Sequence, residues 1–283
     1  MKLKTFYKIY YQHRFRKKSL ILKLYIFILL PINYLINKIL LQSKLNLDTF
    51  AKKNQNLYDK NFKYLVEYFN SDKGEIYLNQ YNKPIKQNKK SPVEGHCYHT
   101  FYEKYFSNRR EQISNILEIG AFKGNATASF FFYFSKSKII SGDIFPDLFR
   151  YNSNRISNIY LDNSNELIIE DKILNKKIKF DIIIEDAGHY FKDQIISLFM
   201  LFKTLNSKGV FVVEELEFPN LRKDMNLSKE KPTLRDILNL IIKGKDFSSK
   251  YITDEQKKYF LQNYKTIEIF KGRTSEIAFI TKK

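Results

Sequence analysis

Three carboxylates lie at the ends of three consecutive short apolar segments of the chain: Glu118, Asp143 and Asp162. An acid at the end of the second strand of an open α/β sheet is well placed to hold a ribose by its hydroxyl groups. After the first segment, Gly120 and Gly124 let the backbone turn sharply and approach a ligand closely. Their spacing also fits an ordinary strand-to-helix turn, and it differs from the dinucleotide-binding GxGxxG pattern. Three acids at three successive strand ends nevertheless predict a binding site rather than scattered surface charge.

A second acidic group surrounds His189, one of four histidines in the chain. Asp186 precedes it, and Glu214 and Glu215 end a later apolar segment. If the two strands are neighbours, three oxygen ligands meet at one edge of the sheet, which suits Mg²⁺ with open water positions. Such a metal can hold a vicinal diol and lower its hydroxyl pKa, and an imidazole can then take the hydroxyl proton. The alternative for His189 is a structural histidine, and the alternative for the three acids is a set of loop residues in solvent. The concentration of acids at these strand ends favours a metal site with His189 as the base.

The elements that must position these residues alternate between strand and helix from residue 113 onward. Short, β-branched, mostly apolar segments are typical of strands buried on both faces. Helix-length stretches such as Ala126–Phe134 and Lys192–Leu205 separate them, which predicts an α/β fold with a parallel sheet covered on both sides. The last two segments flank the turn-like Lys271–Ser275 and predict a hairpin at the sheet edge. The predicted strands are Ile116–Ile119, Ile139–Ser141, Ile159–Leu161, Asp181–Ile184, Val210–Val213, Thr266–Phe270 and Glu276–Thr281.

The composition excludes several classes of protein. The 283 residues are 43% hydrophobic, enough for a sizeable core, so wholesale disorder is not expected. The single Cys97 excludes an intramolecular disulfide framework and a Cys-rich zinc or iron–sulfur site. The net charge of +19 invites a nucleic-acid or anionic-membrane interpretation, but a diffuse excess of Lys equally keeps a protein in solution. The diffuse excess is the favoured interpretation for the body of the chain, and the question stays open for the first 60 residues.

The N-terminal region is basic over residues 1–18 and apolar over residues 20–41. Its uncharged segment, Leu24–Asn37, contains Pro31 and is too short and interrupted to predict a membrane span. Two alternatives remain: a helix lying in the interface of an anionic membrane, or two helices broken near Pro31 that pack on the domain or on a second subunit. A nucleic-acid-binding arm is less favoured because no base-reading motif is present. A loop is predicted over Asn79–Ser91.

Longer motifs resemble a known family. The segment ILEIGAFKGNATASF at 116–130, followed by Asp143, resembles class I S-adenosylmethionine-dependent methyltransferases. FDIIIEDAGH at 180–189, Asp193-Gln194 and GVFVVEEL at 209–216 are similar to sugar O-methyltransferases of the mycinamicin and macrocin type, whose relatives include cephalosporin-hydroxylase-like sequences. DKG at 72–74 and HCYHTFYE at 96–103 match further motifs of that group. The resemblance covers roughly residues 70–283. Glu185, Ala187, Gly188 and Glu215 depart from the usual pattern, and the longer Glu215 could shift the coordination geometry.

The resemblance implies a Rossmann-like fold: a mostly parallel seven-stranded sheet with a C-terminal antiparallel hairpin. It implies S-adenosylmethionine as cofactor and a metal site that keeps its carboxylates, with Mg²⁺ as the metal. We expect three parts: a helical extension over residues 1–60, a cap or lid over 61–110, and the methyltransferase domain over 111–283. His96, Tyr98 and Tyr102 form either a lid wall or an aromatic helix face packed on the domain, of which the packed face is favoured. The cofactor-binding residues implied by the resemblance are Glu118, Gly120, Gly124, Asp143 and Asp162. The residue types at the strand ends described above predict His189 as the general base, and Asp186, Glu214 and Glu215 as the metal ligands.

The expected function is therefore Mg²⁺-assisted O-methylation of a sugar hydroxyl in a saccharide, glycan or glycolipid, as in polysaccharide biosynthesis. The alternative is a basic membrane- or nucleic-acid-binding protein with a non-catalytic methyltransferase-like fold. Oxidative hydroxylation is disfavoured because a facial iron triad needs two histidines and only one lies at the site. The expected location is the cytoplasm, with peripheral contact to the inner face of an anionic membrane through residues 1–41 as one alternative. A homo-oligomer is also left open.

Overall fold

The structure is a computed structural model, and it describes residues 2–40, 44–78 and 92–283. The loop predicted over Asn79–Ser91 lies outside the described residues. Most of the described chain forms a central sheet covered by helices on both faces.

Eleven strands are present in the described residues, and seven of them form the central sheet in the order β7-β5-β4-β8-β9-β11-β10. The five strands from β7 to β9 run parallel, and β11 is antiparallel to both β9 and β10. This confirms the predicted fold class, including the terminal hairpin. In chain order the strands are β1 (Leu45–Asn46), β2 (Ile76–Leu78), β3 (Pro92–Glu94), β4 (Asn115–Ile119), β5 (Lys138–Asp143), β6 (Tyr151–Asn152), β7 (Ile156–Tyr160), β8 (Phe180–Glu185), β9 (Leu205–Glu214), β10 (Tyr264–Lys271) and β11 (Glu276–Lys282).

The helices cover the sheet and connect its strands. Several begin at side-chain caps, as at Thr233, whose hydroxyl accepts from the Asp236 N–H in a reciprocal capping box. In chain order they are α1 (Leu3–Ile9), α2 (Leu20–Leu40), α3 (Leu47–Lys53), α4 (Phe62–Tyr68), α5 (His99–Phe106), α6 (Asn125–Tyr133), α7 (Glu166–Lys172), α8 (Phe191–Leu201), α9 (Phe218–Leu221), α10 (Leu234–Ile242) and α11 (Asp254–Asn263).

Each face of the sheet has its own core, because successive side chains of a strand point to opposite faces. Leu117 and Ile183 lie in the core under α8 and α10, whereas Ile116 and Ile182 lie in the core under α4, α5 and α6. All four are fully buried. Burial on both faces explains why these strands are uniformly apolar, and it leaves the strand ends as the place for polar residues.

Residues 61–78 and 92–110 contribute an aromatic layer to the second core. Phe62, Tyr102 and Phe106 are fully buried and pack with Phe130 and Phe279. The face of α5 therefore packs on the domain, which is the favoured alternative for its tyrosines. The division of the chain into three parts stays a proposal.

The N-terminal region docks on the domain through α1 and the π-helical turn Tyr10–Arg14. Ile9 is fully buried in the core under α8, and Arg14 donates two hydrogen bonds to the Asp147 carboxylate at 2.8 and 3.0 Å. The following α2 continues through Pro31, which contradicts the break near Pro31 in the second of the two alternatives for this region. Proline's fixed φ is compatible with a helix, but proline removes one backbone hydrogen bond and its ring crowds the carbonyl group four residues earlier, and packing has to offset both costs. Within the described residues, no helix is long and apolar enough to cross a membrane.

Candidate functional site

A cavity of about 1740 Å³ opens at the carboxyl edge of the parallel strands. Open α/β sheets bind their ligands at this edge, next to the topological switch point, which is the strand on either side of which later strands are added in opposite directions. That strand is β4, which lies between β5 and β8. Of the predicted site residues, those that line the cavity are Glu118, Gly120, Asp143, Asp162, Asp186, His189 and Glu215.

The turn between β4 and α6 depends on two glycines with positive φ. Gly120 has a φ of +95°, and a Cβ there would overlap the carbonyl oxygen of Asp186. Gly124 has a φ of +84°, and a Cβ there would lie 2.5 Å from Cε2 of Phe149. Gly124 does not line the cavity; it begins α6 behind the turn. Both positions therefore need glycine for conformation and for close approach, and Gly120 also brings the backbone to the cavity wall.

Asp143 lies at the end of β5 with its carboxylate held by the backbone. Its Oδ2 accepts the Phe122 N–H at 2.7 Å, and its Oδ1 accepts the Phe145 N–H at 2.6 Å. Burial raises its pKa, while these two hydrogen bonds oppose that rise. Because each carboxylate oxygen can accept a second hydrogen bond, Asp143 keeps acceptor capacity for ligand hydroxyls.

Glu118 is buried at the end of β4, and Thr127 donates a hydrogen bond to its Oε2. Burial raises its pKa to about 7, and the positive charge of Lys73 limits the rise. Such a carboxyl is costly to ionise in this pocket, so a cationic ligand group beside it would stabilise the charged form.

Asp162 follows β7, where the N-terminal region reaches the cavity. Its Oδ1 accepts from the Ser164 N–H at 3.1 Å and the Ser164 hydroxyl at 2.6 Å. Nε2 of His13 lies 3.8 Å from Oδ2 of Asp162 and 2.9 Å from the Tyr160 hydroxyl. The π-helical turn thus supplies one wall of the cavity, a contribution that the sequence did not indicate.

Asp186, His189 and Glu215 form a possible metal-binding cluster at the opposite side of the cavity. One ligand atom from each lies within 4.8 Å of the others. Nε2 of His189 contacts Oε2 of Glu215 directly and lies 3.8 Å from Oδ1 of Asp186. Burial alone would lower the pKa of His189, but the charge of Glu215 outweighs it and raises the pKa to about 10. A carboxylate pair beside an imidazole suits a divalent cation.

Two residues of this cluster have strained backbones. His189 has a φ of +52° and Glu215 a φ of +51°. A non-glycine residue in this region costs on the order of 1–3 kcal/mol, and such residues concentrate at functional sites. The buried Nδ1 of His189 has no hydrogen-bond partner among the described residues. Both features favour a role in ligand binding over a purely structural one.

Glu214 is the one predicted metal ligand that the structure does not bring into this cluster. Its Oε2 lies 2.6 Å from Nζ of the fully buried Lys73, and its Oε1 accepts the Tyr102 hydroxyl at 2.6 Å. The same Nζ lies 2.6 Å from Oδ2 of Asp186. Burial would lower the pKa of Lys73, but the two carboxylates outweigh it and raise the pKa. The assignment of Glu214 as a metal ligand stays a prediction.

Lys73 and His96 both contact the acidic cluster, although the sequence indicates no role for Lys73 and places His96 only in a lid or an aromatic face. Nε2 of His96 lies 3.2 Å from Oε1 of Glu215. Burial would lower the pKa of His96, but hydrogen bonding to Glu215 raises it, and the pKa of Glu215 is lowered by both histidines. The DKG motif and the histidine-rich motif at 96–103 were the available signals. Neither gives a contact by itself, since both lie far from the strand ends along the chain.

Comparisons with known proteins confirm the resemblance and the fold. No protein-family model matches the chain. It is 27% identical over 129 residues to the 8-demethyl-8-alpha-L-rhamnosyl tetracenomycin-C 2'-O-methyltransferase of Streptomyces olivaceus, a match that covers 43% of this chain and 34% of that protein. Among solved structures, MycE methyltransferase from the mycinamycin biosynthetic pathway, in complex with Mg, SAH and mycinamycin VI, superposes with a TM-score of 0.59 at 18% identity. A second MycE complex, with Mg and SAH, gives a TM-score of 0.57 at 19% identity.

These relatives are longer than the segments that match. The superposition covers 79% of this chain and 54% of the MycE chain in the complex with mycinamycin VI. This chain therefore spans about half of MycE and about a third of the Streptomyces olivaceus protein. The shared part has the fold of class I S-adenosylmethionine-dependent methyltransferases.

Proposed function

We propose that the protein is an S-adenosylmethionine-dependent O-methyltransferase that acts on a sugar hydroxyl with the help of Mg²⁺. The observation that carries this proposal is a single cavity whose two walls carry different sets of polar residues. One wall carries Glu118, Asp143 and Asp162, and the other carries Asp186, His189 and Glu215. A methyl transfer needs both a cofactor site and an acceptor site, and it needs them side by side.

The first wall fits S-adenosylmethionine. Asp143 retains acceptor capacity for ribose hydroxyls, and Gly120 allows close backbone approach. The buried Glu118 can offset the positive charge of the cofactor's methionine part. The residues present thus offer acceptors for the hydroxyl groups and for the cationic end of the cofactor.

The second wall fits a sugar acceptor bound next to a divalent cation. When bound, Mg²⁺ supplies Lewis-acid chemistry that lowers the pKa of a coordinated hydroxyl. Asp186 and Glu215 offer hard oxygen ligands. Glu215 raises the pKa of His189 to about 10. With Asp186 and Glu215 holding the cation, this stabilisation of the imidazolium would be weaker, so His189 would release its proton to solvent and its Nε2 would then accept the hydroxyl proton.

The relatives support a sugar-bearing acceptor, since one is named for a rhamnosyl substrate and another is bound to mycinamycin VI. Both relatives are methyltransferases, so the alternative of a non-catalytic basic protein is not favoured.

The test is calorimetry with S-adenosylmethionine, with and without Mg²⁺, followed by methyl-transfer assays on a panel of glycosides. Asp143→Asn should weaken cofactor binding by roughly 10–100-fold, because a charge-assisted hydrogen bond contributes about 1.5–3 kcal/mol. Asp171→Asn, at an exposed acid outside the cavity, is the matched control. Absence of cofactor binding by the parent protein under both conditions would remove the proposal.

A further inference from the structure

The long helix α2 leaves most of its apolar surface uncovered. Ile21, Leu24, Ile28, Ile32 and Leu35 recur at helical spacing, and each is more than half exposed. We call these five residues the α2 stripe. A helix with one apolar face in water is expected to bury that face against something.

The opposite face of α2 is already occupied by the N-terminal helix. Leu30 is fully buried, Tyr34 packs edge-on against Phe6 with ring centroids 5.4 Å apart, and Phe27 contacts Tyr7 at 5.5 Å. Phe6 is itself fully buried. The helix is therefore held on its inner side, and the α2 stripe is directed away from the contacts that fix it.

The charge around the stripe identifies its partner. Every charged residue before Asp48 is a Lys or an Arg. Lys2, Lys4, Arg16, Lys17 and Lys18 are exposed, and the last three lie immediately before α2. A basic, acid-free segment joined to an apolar helix face matches the surface of an anionic bilayer, where phosphate groups lie above acyl chains.

A second copy of the chain matches this surface less well. Self-association through the stripe would bring together two segments that both lack acidic residues, and like charges oppose such pairing. Because no described helix can cross a membrane, the complementary arrangement is a helix lying in the plane of the interface. We infer that α2 docks the protein onto anionic membrane surfaces through the α2 stripe, with the adjacent Lys and Arg side chains binding lipid phosphates.

Point substitutions are the right test, because the N-terminal region also forms part of the cavity. Tyr11, Arg14 and Lys23 line the cavity, so removing residues 1–45 would change the catalytic site as well as the docking surface. Ile21→Glu combined with Ile28→Glu places two charges on the α2 stripe. Leu167→Glu, at an equally exposed leucine on α7, is the matched control.

Binding is measured by co-sedimentation of the full chain with vesicles of phosphatidylcholine and phosphatidylglycerol, and with phosphatidylcholine alone. The parent should bind the anionic vesicles, and more weakly at high salt. The Ile21→Glu, Ile28→Glu variant should lose about 100-fold in partitioning, since each buried aliphatic side chain contributes roughly tenfold, while Leu167→Glu should bind like the parent. Lys4→Glu with Lys18→Glu, at two exposed lysines that do not line the cavity, should lose more than tenfold on anionic vesicles only, because each cation near the surface contributes about fivefold.

Circular dichroism and thermal melting confirm that each variant is folded, and analytical ultracentrifugation measures oligomeric state in the same samples. Equal vesicle binding by the parent and the Ile21→Glu, Ile28→Glu variant would overturn the inference. The inference would also be wrong if the parent did not bind vesicles but formed a dimer, and the Ile21→Glu, Ile28→Glu variant were monomeric. A second copy of the chain would then cover the α2 stripe.

Discussion

His189 is the residue whose neighbours best define its role. Its Nε2 faces Glu215 and Asp186, while its Nδ1 is buried without a partner among the described residues. The strained backbone at both His189 and Glu215 holds these groups toward the cavity. The side chain is thus placed to exchange a proton with a group bound beside the two carboxylates.

We expect His189→Ala to lower the methyl-transfer rate by about 10²–10⁴-fold, the usual contribution of a general base. Its affinity for S-adenosylmethionine should be unchanged, because the imidazole lies on the acceptor side of the cavity. Single-turnover kinetics and calorimetry measure the two quantities. His99→Gln, at a buried histidine that does not line the cavity, is the control. A variant with full rate, or with lost cofactor affinity, would contradict the assignment.

Asp186 and Glu215 should determine metal affinity. Asp186→Asn and Glu215→Gln each replace a charged ligand by a neutral amide, and we expect each to weaken Mg²⁺ binding by at least about tenfold. A chelator should silence the parent enzyme, and added Mg²⁺ should restore it. Mg²⁺ titrations of activity and of intrinsic fluorescence measure the effect, with Asp171→Asn as control. Full activity in excess chelator would mean that Asp186 and Glu215 are not metal ligands and have a structural role only.

Glu118 gives a pH dependence of stability. Its pKa is about 7 in the folded protein against an ordinary value of 4.5, so the folded state binds more protons between these values. Stability should therefore fall as pH rises from 4.5 to about 7, by up to about 3 kcal/mol. Glu118→Gln should remove this slope and raise stability at neutral pH, while weakening S-adenosylmethionine binding. Urea unfolding across this pH range measures the unfolding free energy of the parent and of Glu118→Gln. If its pH dependence were the same in both proteins, another group would be responsible for it.

At the scale of elements, the turn from β4 to α6 sets the distance between the two walls of the cavity. Its Gly120 N–H bonds to the Gly142 carbonyl at 2.8 Å, and the Asp186 N–H bonds to the Ile119 carbonyl at 2.8 Å. The ends of β5, β4 and β8 are therefore joined through backbone groups. A change in this turn should affect both the cofactor wall and the metal-binding wall.

Gly120→Ala tests this coupling. The added Cβ would overlap the Asp186 carbonyl oxygen, and alanine disfavours a φ of +95°. A strained φ alone costs about 1–3 kcal/mol, and we expect Gly120→Ala to lower the unfolding free energy by more than this. Binding of both the cofactor and Mg²⁺ should also be weaker. Gly244→Ala is the matched control, since Gly244 also has a positive φ but a Cβ there meets nothing within 4 Å. Equal effects of the two substitutions would mean that backbone strain alone, and not the close approach to Asp186, matters at Gly120.

At the scale of the whole molecule, Lys73 joins the region before the sheet to the carboxyl edge of the parallel strands. It lies between α4 and β2, yet its ammonium group bridges Asp186 after β8 and Glu214 at the end of β9. Because all three charges are largely buried, neither carboxylate can be left without this partner at low cost. Residues 61–78 are thereby part of the site's support.

Lys73→Met should destabilise the protein by about 3–5 kcal/mol, because it leaves two buried carboxylates without a cation. Burial and the neighbouring Asp186 carboxylate raise the pKa of Glu214, and Lys73 opposes that rise. Without the lysine, the pKa of Glu214 in the folded state should rise further, so the variant should regain stability as pH falls from above neutrality toward the ordinary carboxyl value of 4.5. Urea unfolding at several pH values measures this. Lys282→Met removes a buried lysine that pairs with a carbonyl and a hydroxyl, and it should show no such recovery; a pH-independent loss in Lys73→Met would refute the explanation.

Much of the fold could be predicted from the sequence, because its determinants are local. Buried parallel strands have to be apolar over consecutive residues, so the segments around Ile116, Ile182 and Val210 were visible as strands. Acids at their ends had to meet at one edge, which placed Glu118, Asp143 and Asp186 around one cavity. The continuity of α2 through Pro31 was missed, because tertiary packing against α1 decides whether a proline interrupts a helix.

Tertiary structure alone decided which of two adjacent acids faces the cavity. Glu214 is the last residue of β9, and its side chain turns inward to Lys73. Glu215 follows the strand, and its positive φ directs its side chain to His189 and His96. Lys73, His96 and His13 reach the site from distant parts of the chain. No local pattern records such contacts, because they depend on how separately folded segments pack around the same strand ends.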